Sequence, residues 1–236
     1  MKNIISLLLV ISCSFGMSAQ SLIGAWERYH TSENGEKLKS VVIFADGYQV
    51  FTTYDATTGK FIHSNGGTWQ LEGDTITEKV EFNTDDAERV GTESSFKIVL
   101  TDAILSIAET DMKFNRLNHG APGKLQGAWL MSGRVRDGKT QPRDTSGPRK
   151  TMKILSGTLF QWIAYNTETK QFLGTGGGTY TTINGKYTEN INFFSRDDSR
   201  VGASLEFNYE LKDGNWHHSG FSSKGDPLYE IWSMRE

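Results

Sequence analysis

The chain contains little cysteine and little proline. Its 236 residues include one Cys, at position 13, and four Pro. A single thiol cannot form an intramolecular disulfide or a cysteine-based metal site. Frequent Gly, Thr and aromatic residues combined with so few Pro favour short strands joined by tight turns. The composition therefore predicts an all-β fold that is stabilised without disulfides.

Several functional motifs are absent as well. The net charge of −3 does not suit a dedicated nucleic-acid binder, so no nucleic-acid partner is expected. The sequence has no His-x-x-x-His pair, and the adjacent His217 and His218 would point to opposite faces of a strand. It has no Gly-x-Ser-x-Gly elbow, and the glycine run at 176–178 precedes a strand rather than a helix. We therefore expect no metal, no cofactor and no serine-hydrolase mechanism.

The first 20 residues are typical of a signal peptide. Lys2 precedes an apolar run at 4–11, and small residues lead to a cleavage site near Ala19. The apolar run is too short for a permanent membrane anchor, so no transmembrane segment is expected. Val-Ile-Ser-Cys, ending at Cys13, also fits a permissive lipoprotein box, which makes a lipid anchor an alternative. The sequence predicts a periplasmic or secreted protein.

An internal repeat is the most informative feature that is present. The stretch from Gly66 to Gly91 returns from Gly177 to Gly202 with its Gly-Gly-Thr, Thr-Glu and Val-Gly motifs 111 positions on (177 − 66). Solenoid repeats run at about 20 to 50 residues, so this long period indicates two copies of one domain. Features that both copies share are expected to be scaffold. Features of one copy alone are candidates for function.

Each copy is predicted to form an eight-stranded up-and-down barrel. Eight strands can be traced in the second copy between Ala128 and Arg235, with turn signals such as Asn-Gly at 184–185 between them. Closure into a barrel removes the exposed strand edges. The predicted organisation is a signal peptide at 1–20, a first barrel at 21–117, a linker at 118–124 and a second barrel at 125–236.

The ends of the two copies resemble a known family. Each copy opens with Gly-x-Trp, at Trp26 or Trp129, and closes on an Arg, at Arg116 or Arg235. This pairing resembles lipocalins, and the signature Gly-Gly-Thr-Tyr … Glu-Ile-Trp-Ser-Met-Arg is more similar to lipocalin-like domains of unknown function in exported Bacteroidetes proteins. The resemblance implies that each Trp packs against its Arg at the closed end of the barrel. It implies no established chemistry.

The second copy is longer and more basic at its predicted mouth. The spacing between copies is 103 at the opening Trp (129 − 26) and 111 in the middle, which places eight extra residues (111 − 103) within 134–150. The spacing of 119 at the closing Arg (235 − 116) places a second insertion after the seventh strand. Such a basic mouth would attract an anionic ligand. A solvated loop without a partner is the alternative interpretation.

Alternation along the strands predicts which side chains face the second lumen. Tyr187 and His218 are the candidate catalytic residues, because the first copy has Ile76 and Ile107 in their places. A buried structural role is the alternative for Glu189, as ordinary core packing is for the aromatic residues. The predicted substrate-binding residues are Arg200, Glu189, Tyr165, Trp162 and Trp216.

Two functions follow from this pattern. The first is a lyase or dehydratase-type elimination on a carboxylated, uronate-containing oligosaccharide, in which Tyr187 and His218 transfer protons and Arg200 holds the carboxylate. An ion pair with Asp197 is the structural alternative for Arg200. The second function is a non-catalytic module that binds a small anionic or saccharide ligand. The sequence alone leaves both functions open. It also does not determine the oligomeric state.

Overall fold

The computed structural model describes residues 21–121, 123–222 and 224–235. They form two closed, eight-stranded antiparallel barrels in tandem, which confirms the predicted fold class. The predicted signal peptide at 1–20 and the alternative lipid site at Cys13 lie outside the described residues. Within the described part of the chain, no helix has the length and apolar character needed to cross a membrane.

The first barrel is an uninterrupted meander in which β8 closes back onto β1. A 3-10 turn at Ala87–Arg89 lies between β5 and β6. Buried and exposed positions alternate along several strands, as expected where one face lines the lumen. The strands are β1 Gly24–Thr31, β2 Lys37–Ala45, β3 Tyr48–Asp55, β4 Phe61–Glu72, β5 Thr75–Asn83, β6 Glu93–Leu100, β7 Ile104–Ile107 and β8 Lys113–Asn118.

The second barrel repeats this meander and adds one strand. The added strand, β10, pairs with β9 outside the closed ring, so the insertion at 134–150 forms a hairpin instead of a simple loop. A second 3-10 turn lies at Asp198–Arg200. The strands are β9 Gly127–Arg136, β10 Lys139–Pro142, β11 Arg149–Ser156, β12 Leu159–Asn166, β13 Gln171–Ile183, β14 Lys186–Phe194, β15 Ser204–Lys212, β16 Asn215–Phe221 and β17 Pro227–Met234.

The predicted Trp–Arg contact is present at the closed end of the first barrel. Trp26 is fully buried, and its indole Nε1 donates a hydrogen bond to the carbonyl of Leu22 at 3.1 Å. The guanidinium of Arg116, which stands opposite Trp26 in the β1–β8 register, lies 3.9 Å from the ring centroid. A cation at this position stabilises the closed end by about 0.5 to 2 kcal/mol.

The corresponding prediction for the second barrel is wrong. Met234, not Arg235, stands opposite Trp129 in the β9–β17 register. Successive side chains on a strand point to opposite faces, so Arg235 points out of the barrel. Its guanidinium lies 4.1 Å from the centroid of the Tyr48 ring, which belongs to the first barrel. The closing Arg of the second copy therefore joins the two barrels.

A shared apolar core lies between the barrels. It is built from outward-facing side chains of β1, β2, β3 and β5 on one side and of β9, β11 and β12 on the other. Phe82 of the first barrel lies 5.2 Å from the Tyr165 ring of the second, and Tyr54 stacks on Phe193 at 5.1 Å. These strands are thus covered on both faces. The fully buried members of the core include Val50, Met152, Ile154, Ile163 and Tyr165.

A polar cluster of Glu81, Tyr165 and Arg235 joins the two barrels at this interface. Arg235 donates two hydrogen bonds to the carboxylate of Glu81, at 2.7 and 2.8 Å. The hydroxyl of Tyr165 donates to the same carboxylate and accepts from Arg235 at 3.0 Å. Burial, together with the Glu81 carboxylate, raises the pKa of Tyr165 well above its ordinary value, so the hydroxyl keeps its proton. The charged pair is therefore satisfied on both sides and fixes the orientation of the barrels.

We predict that Glu81→Ala destabilises the protein by about 3 to 5 kcal/mol, because it leaves the Arg235 guanidinium buried without its carboxylate. The measurement is urea unfolding followed by tryptophan fluorescence. Glu206→Ala is the matched control, since it removes the exposed Lys186–Glu206 pair (3.2 Å), and it should cost less than about 1 kcal/mol. Equal effects of the two variants would contradict a locking role for Glu81.

Candidate functional site

A cavity of about 300 Å³ occupies the lumen of the second barrel. Rings and aliphatic side chains of β12, β14, β15 and β17 form much of its wall, including Trp162, Phe194 and Trp232. Charged and polar groups interrupt this apolar wall. They are Arg134, Thr151, Lys153, Glu189, Arg200, His218, Ser222 and Glu230. The mixture of rings and charges is typical of a binding site, because a barrel core of this size would otherwise be filled with apolar side chains.

A buried ion pair spans the lumen. Lys153 on β11 and Glu189 on β14 place Nζ and Oε1 2.6 Å apart, and both side chains are less than a tenth exposed. The ammonium also lies 5.0 to 5.3 Å from the ring centroids of Tyr187, Trp216 and Trp232. We call these five residues the lysine cage. The carboxylate and the rings together replace the water that the ammonium loses on burial.

His218 lies beside the lysine cage and is 2% exposed. Its ring packs 4.1 Å from the centroid of Phe207, and its Nδ1 lies 3.6 Å from Oε2 of Glu230. The other carboxylate oxygen of Glu230 accepts a hydrogen bond from Arg134 at 3.3 Å. Burial and the Lys153 ammonium lower the pKa of His218, so its imidazole is neutral at pH 7 and able to accept a proton.

Four of the predicted site residues line the cavity: His218, Glu189, Trp162 and Arg200. Arg200 also forms the ion pair that was its structural alternative, with Nε 3.1 Å from Oδ2 of Asp197. Glu189 is paired as well, through Lys153. Within the described ranges, no three His, Cys, Asp or Glu side chains are grouped as ligands for a metal ion.

Three predicted site residues do not line the cavity. Tyr187 and Trp216 are fully buried in the lysine cage. Burial, followed by the Glu189 carboxylate, raises the pKa of Tyr187 well above its ordinary value, which makes it unsuitable as a base. Tyr165 lies between the barrels, so its assignment to the lumen is wrong. It is three positions from Trp162 on the same strand, and alternation places the two on opposite faces.

Sequence reasoning missed Lys153 and Glu230. Lys153 stands opposite the opening Trp129, where the first barrel has Val42 opposite Trp26. Lys153 places a charge where the first copy has the apolar Val42, and this difference between the copies can be read from the sequence. Such a difference makes Lys153 a candidate functional residue. Glu230 alternates with two cavity-lining residues of β17, Leu228 and Trp232.

The first barrel carries the same lumen carboxylate in a different state. Glu78 stands 111 positions before Glu189 (189 − 78), but Val42 replaces the lysine partner. Burial raises the pKa of Glu78 to about 7, and the Arg89 guanidinium only partly opposes this shift. Glu78 is thus partly protonated near neutral pH, whereas Glu189 is held as one half of an ion pair.

We predict that Glu78 makes the protein less stable as pH rises. A raised pKa in the folded state means that this state binds the proton more tightly than the unfolded chain, so the stability from Glu78 is complete below pH about 4 and is lost as pH rises through about 7. The loss amounts to as much as about 3 kcal/mol.

Urea unfolding at several pH values between 4 and 8 tests this expectation. Glu78→Gln should flatten the pH profile relative to wild type, whereas the exposed Glu72→Gln should leave the profile unchanged. Parallel profiles for wild type and Glu78→Gln would show that the carboxyl titrates as it does in water.

The comparisons with known proteins give one family match, over the second barrel, and it carries no assigned activity. A family model described as "Domain of unknown function (DUF4488)" matches residues 124–235. Among solved structures, the chain is similar to an uncharacterized protein from Bacteroides eggerthii DSM 20697. That match has 16% identity and a TM-score of 0.31, and it covers 46% of this chain and 98% of the other. No curated protein matches the chain.

Proposed function

We propose that the second barrel binds a small carboxylated saccharide in its lumen. The observation that carries this proposal is His218, which is 2% exposed and lines the cavity, with neither ring nitrogen within hydrogen-bond distance of a protein atom. The Oε2 atom of Glu230 lies 3.6 Å from Nδ1, and Nε2 has no such neighbour. Buried polar atoms are nearly always hydrogen-bonded. A ligand hydroxyl or carboxylate in the cavity would supply the partner that the barrel does not.

Two guanidinium groups at the cavity wall suit a ligand carboxylate. Arg134 uses Nη2 for Glu230, and Arg200 uses Nε for Asp197. A guanidinium has five N–H donors, so each group retains donors for a second oxyanion. The side chain of Arg134 is 44% exposed, which leaves it accessible from the mouth.

The apolar part of the wall suits a sugar ring. Trp162 and Phe194 both line the cavity, with their ring centroids 5.5 Å apart. Aromatic faces pack against the C–H faces of a ring, while polar groups bind its hydroxyls. At about 300 Å³, the cavity is at the small end of ligand pockets, which run from about 300 to 1,000 Å³. We therefore favour a ligand of monosaccharide size.

We also propose that the barrels are lipocalin-like and that the protein is exported. Packing of Trp26 under Arg116, at 3.9 Å, supports a lipocalin-like character for the first barrel. The second barrel shares the buried Trp but not the Arg contact, so its lipocalin-like character rests on the repeat. Export, as in the lipocalin-like proteins of Bacteroidetes, rests on residues 1–20 of the sequence.

We expect D-glucuronate to bind and D-glucose to bind at least tenfold more weakly, because only the former has a carboxylate for the cationic side of the cavity. Calorimetric titration measures both affinities. Arg200→Gln removes one of the two guanidinium groups proposed for the ligand carboxylate, and its partner Asp197 is 43% exposed, so no unpaired buried ion is left. It should remain folded and lose at least tenfold in glucuronate affinity, while the exposed Lys186→Met should change nothing. Equal affinity for the two sugars would refute a carboxylate site.

A second candidate function is elimination from the bound sugar acid, favoured by the position of His218 beside Glu230. In a syn elimination, one base removes the proton next to the carboxylate, a C=C bond forms as the C–O bond breaks, and the same group then protonates the departing oxygen. Neutral His218 can accept that proton, and the carboxylate of Glu230, 3.6 Å away, would stabilise the imidazolium that results.

We predict that His218→Ala lowers the rate of unsaturated-sugar formation from uronate oligosaccharides by about 100-fold to 10,000-fold. The ultraviolet absorbance of the unsaturated product measures this rate. His217→Ala is the matched control, because His217 bonds Tyr229 at 3.1 Å and does not line the cavity. Tyr187→Phe should retain its rate, since Tyr187 lies beneath the cavity. Undiminished turnover in His218→Ala would remove His218 from the mechanism.

A further inference from the structure

A second cavity, of about 430 Å³, lies at the mouth of the second barrel. Its lining includes four Arg and no acidic residue. We call it the arginine pocket and define it by Arg134, Arg136, Arg143 and Arg149. Arg134 also lines the lumen cavity, so the two cavities share a wall.

The arginine pocket is built by the insertion that only the second copy has. Arg134 and Arg136 lie at the end of β9, Arg143 follows β10 directly, and Arg149 begins β11. In the first barrel, β1 and β2 are joined by the short segment 32–36 and have no such strand between them. The pocket is therefore an addition to the shared scaffold.

Two guanidinium groups of the pocket converge on one hydroxyl. Arg143 Nη1 lies 3.2 Å and Arg149 Nη1 lies 3.3 Å from Oγ1 of Thr151, a residue of the lumen wall. Two like charges on one neutral acceptor repel each other. Burial and the charges of Arg149 and Arg134 lower the pKa of Arg143, which reports the same repulsion.

The acidic residues nearby relieve this repulsion only in part, since the Glu230 carboxylate raises the pKa of Arg143 less than burial and the two neighbouring guanidinium groups lower it. Asp144, the neighbour of Arg143 in sequence, accepts hydrogen bonds from the backbone N–H and the hydroxyl of Ser146, at 2.8 and 2.6 Å. Glu230 is already shared between Arg134 and His218. An oxyanion between Arg143 and Arg149 would convert the repulsion into two charge-assisted contacts.

We infer that the arginine pocket binds a second anionic group of the same ligand that occupies the lumen. This inference rests on the proposed function and narrows it: the ligand is a dianion or a short oligomer of acidic sugars, with one carboxylate in the lumen and the next at Arg143 and Arg149. Thr151 and Arg134 form the boundary between the two subsites.

The test compares D-galacturonate with digalacturonate by calorimetric titration at constant ionic strength. We expect wild type to bind the dianion at least tenfold more tightly than the monoanion. Arg143→Gln/Arg149→Gln should abolish this advantage and leave galacturonate affinity within about twofold of wild type. Lys139→Gln, on β10 but outside the pocket lining, is the matched control and should keep the advantage. An equal affinity of wild type for both sugars, or an advantage that survives in the double variant, would overturn the inference.

Inorganic sulfate separates this inference from the proposed function. Titration of sulfate should shift the arginine Nε–H resonances of Arg143 and Arg149 in the full-length protein, whether or not a sugar enters the lumen. If galacturonate does not bind while these shifts occur and digalacturonate binding depends on the two arginines, the arginine pocket is supported and the lumen proposal fails. Absence of any shift at Arg143 and Arg149 up to high sulfate concentration would count against the pocket itself.

Discussion

The ion pair between Lys153 and Glu189 is the interaction on which the second lumen depends. Burying either charge without its partner would cost several kcal/mol, so each group requires the other. Their contact of 2.6 Å keeps a polar surface inside a barrel that apolar side chains would otherwise fill. Burial, and after it the Lys153 ammonium, lowers the pKa of His218. Burial raises the pKa of Glu230, but the contact with His218 and the Lys153 ammonium outweigh it and lower that pKa. The buried pair thus contributes to the protonation of both neighbouring groups.

The first barrel holds this arrangement in place from outside. Lys153 faces the lumen from β11, and its strand neighbours Met152 and Ile154 belong to the core between the barrels. Side chains alternate along a strand, so pinning Met152 and Ile154 on the outer face fixes Lys153 on the inner one. The Glu81–Arg235 pair adds a directional contact to the same interface. The first barrel therefore supports the second one physically, by fixing which face of β11 points into the lumen.

The sequence revealed the repeat, the strands and the barrels because alternation and turn chemistry are local. It also predicts that His218, Glu189, Trp162 and Arg200 belong to one site, and all four line the same cavity. The errors came where a single residue decides the face. The sequence predicts that Tyr165 and Arg235 point inward, but both point between the barrels, and the sequence carries no marker of that interface. An outward Tyr on a buried strand and an inward Tyr look alike until the partner surface is known.

The two barrels use one carboxylate position for opposite purposes. In the first, Glu78 has no lysine partner, and its pKa of about 7 means that it carries partial negative charge near neutrality, which disfavours an anion in that lumen. In the second, Lys153 neutralises Glu189, and the inserted hairpin adds guanidinium groups at the mouth. Compared with the first copy, the second has Lys153 at the position of Val42 and adds β10. Both differences make the electrostatic potential of the second lumen and its mouth more positive. Together they support the proposal that an anion binds in the second lumen rather than the first, although both lumens carry the same glutamate.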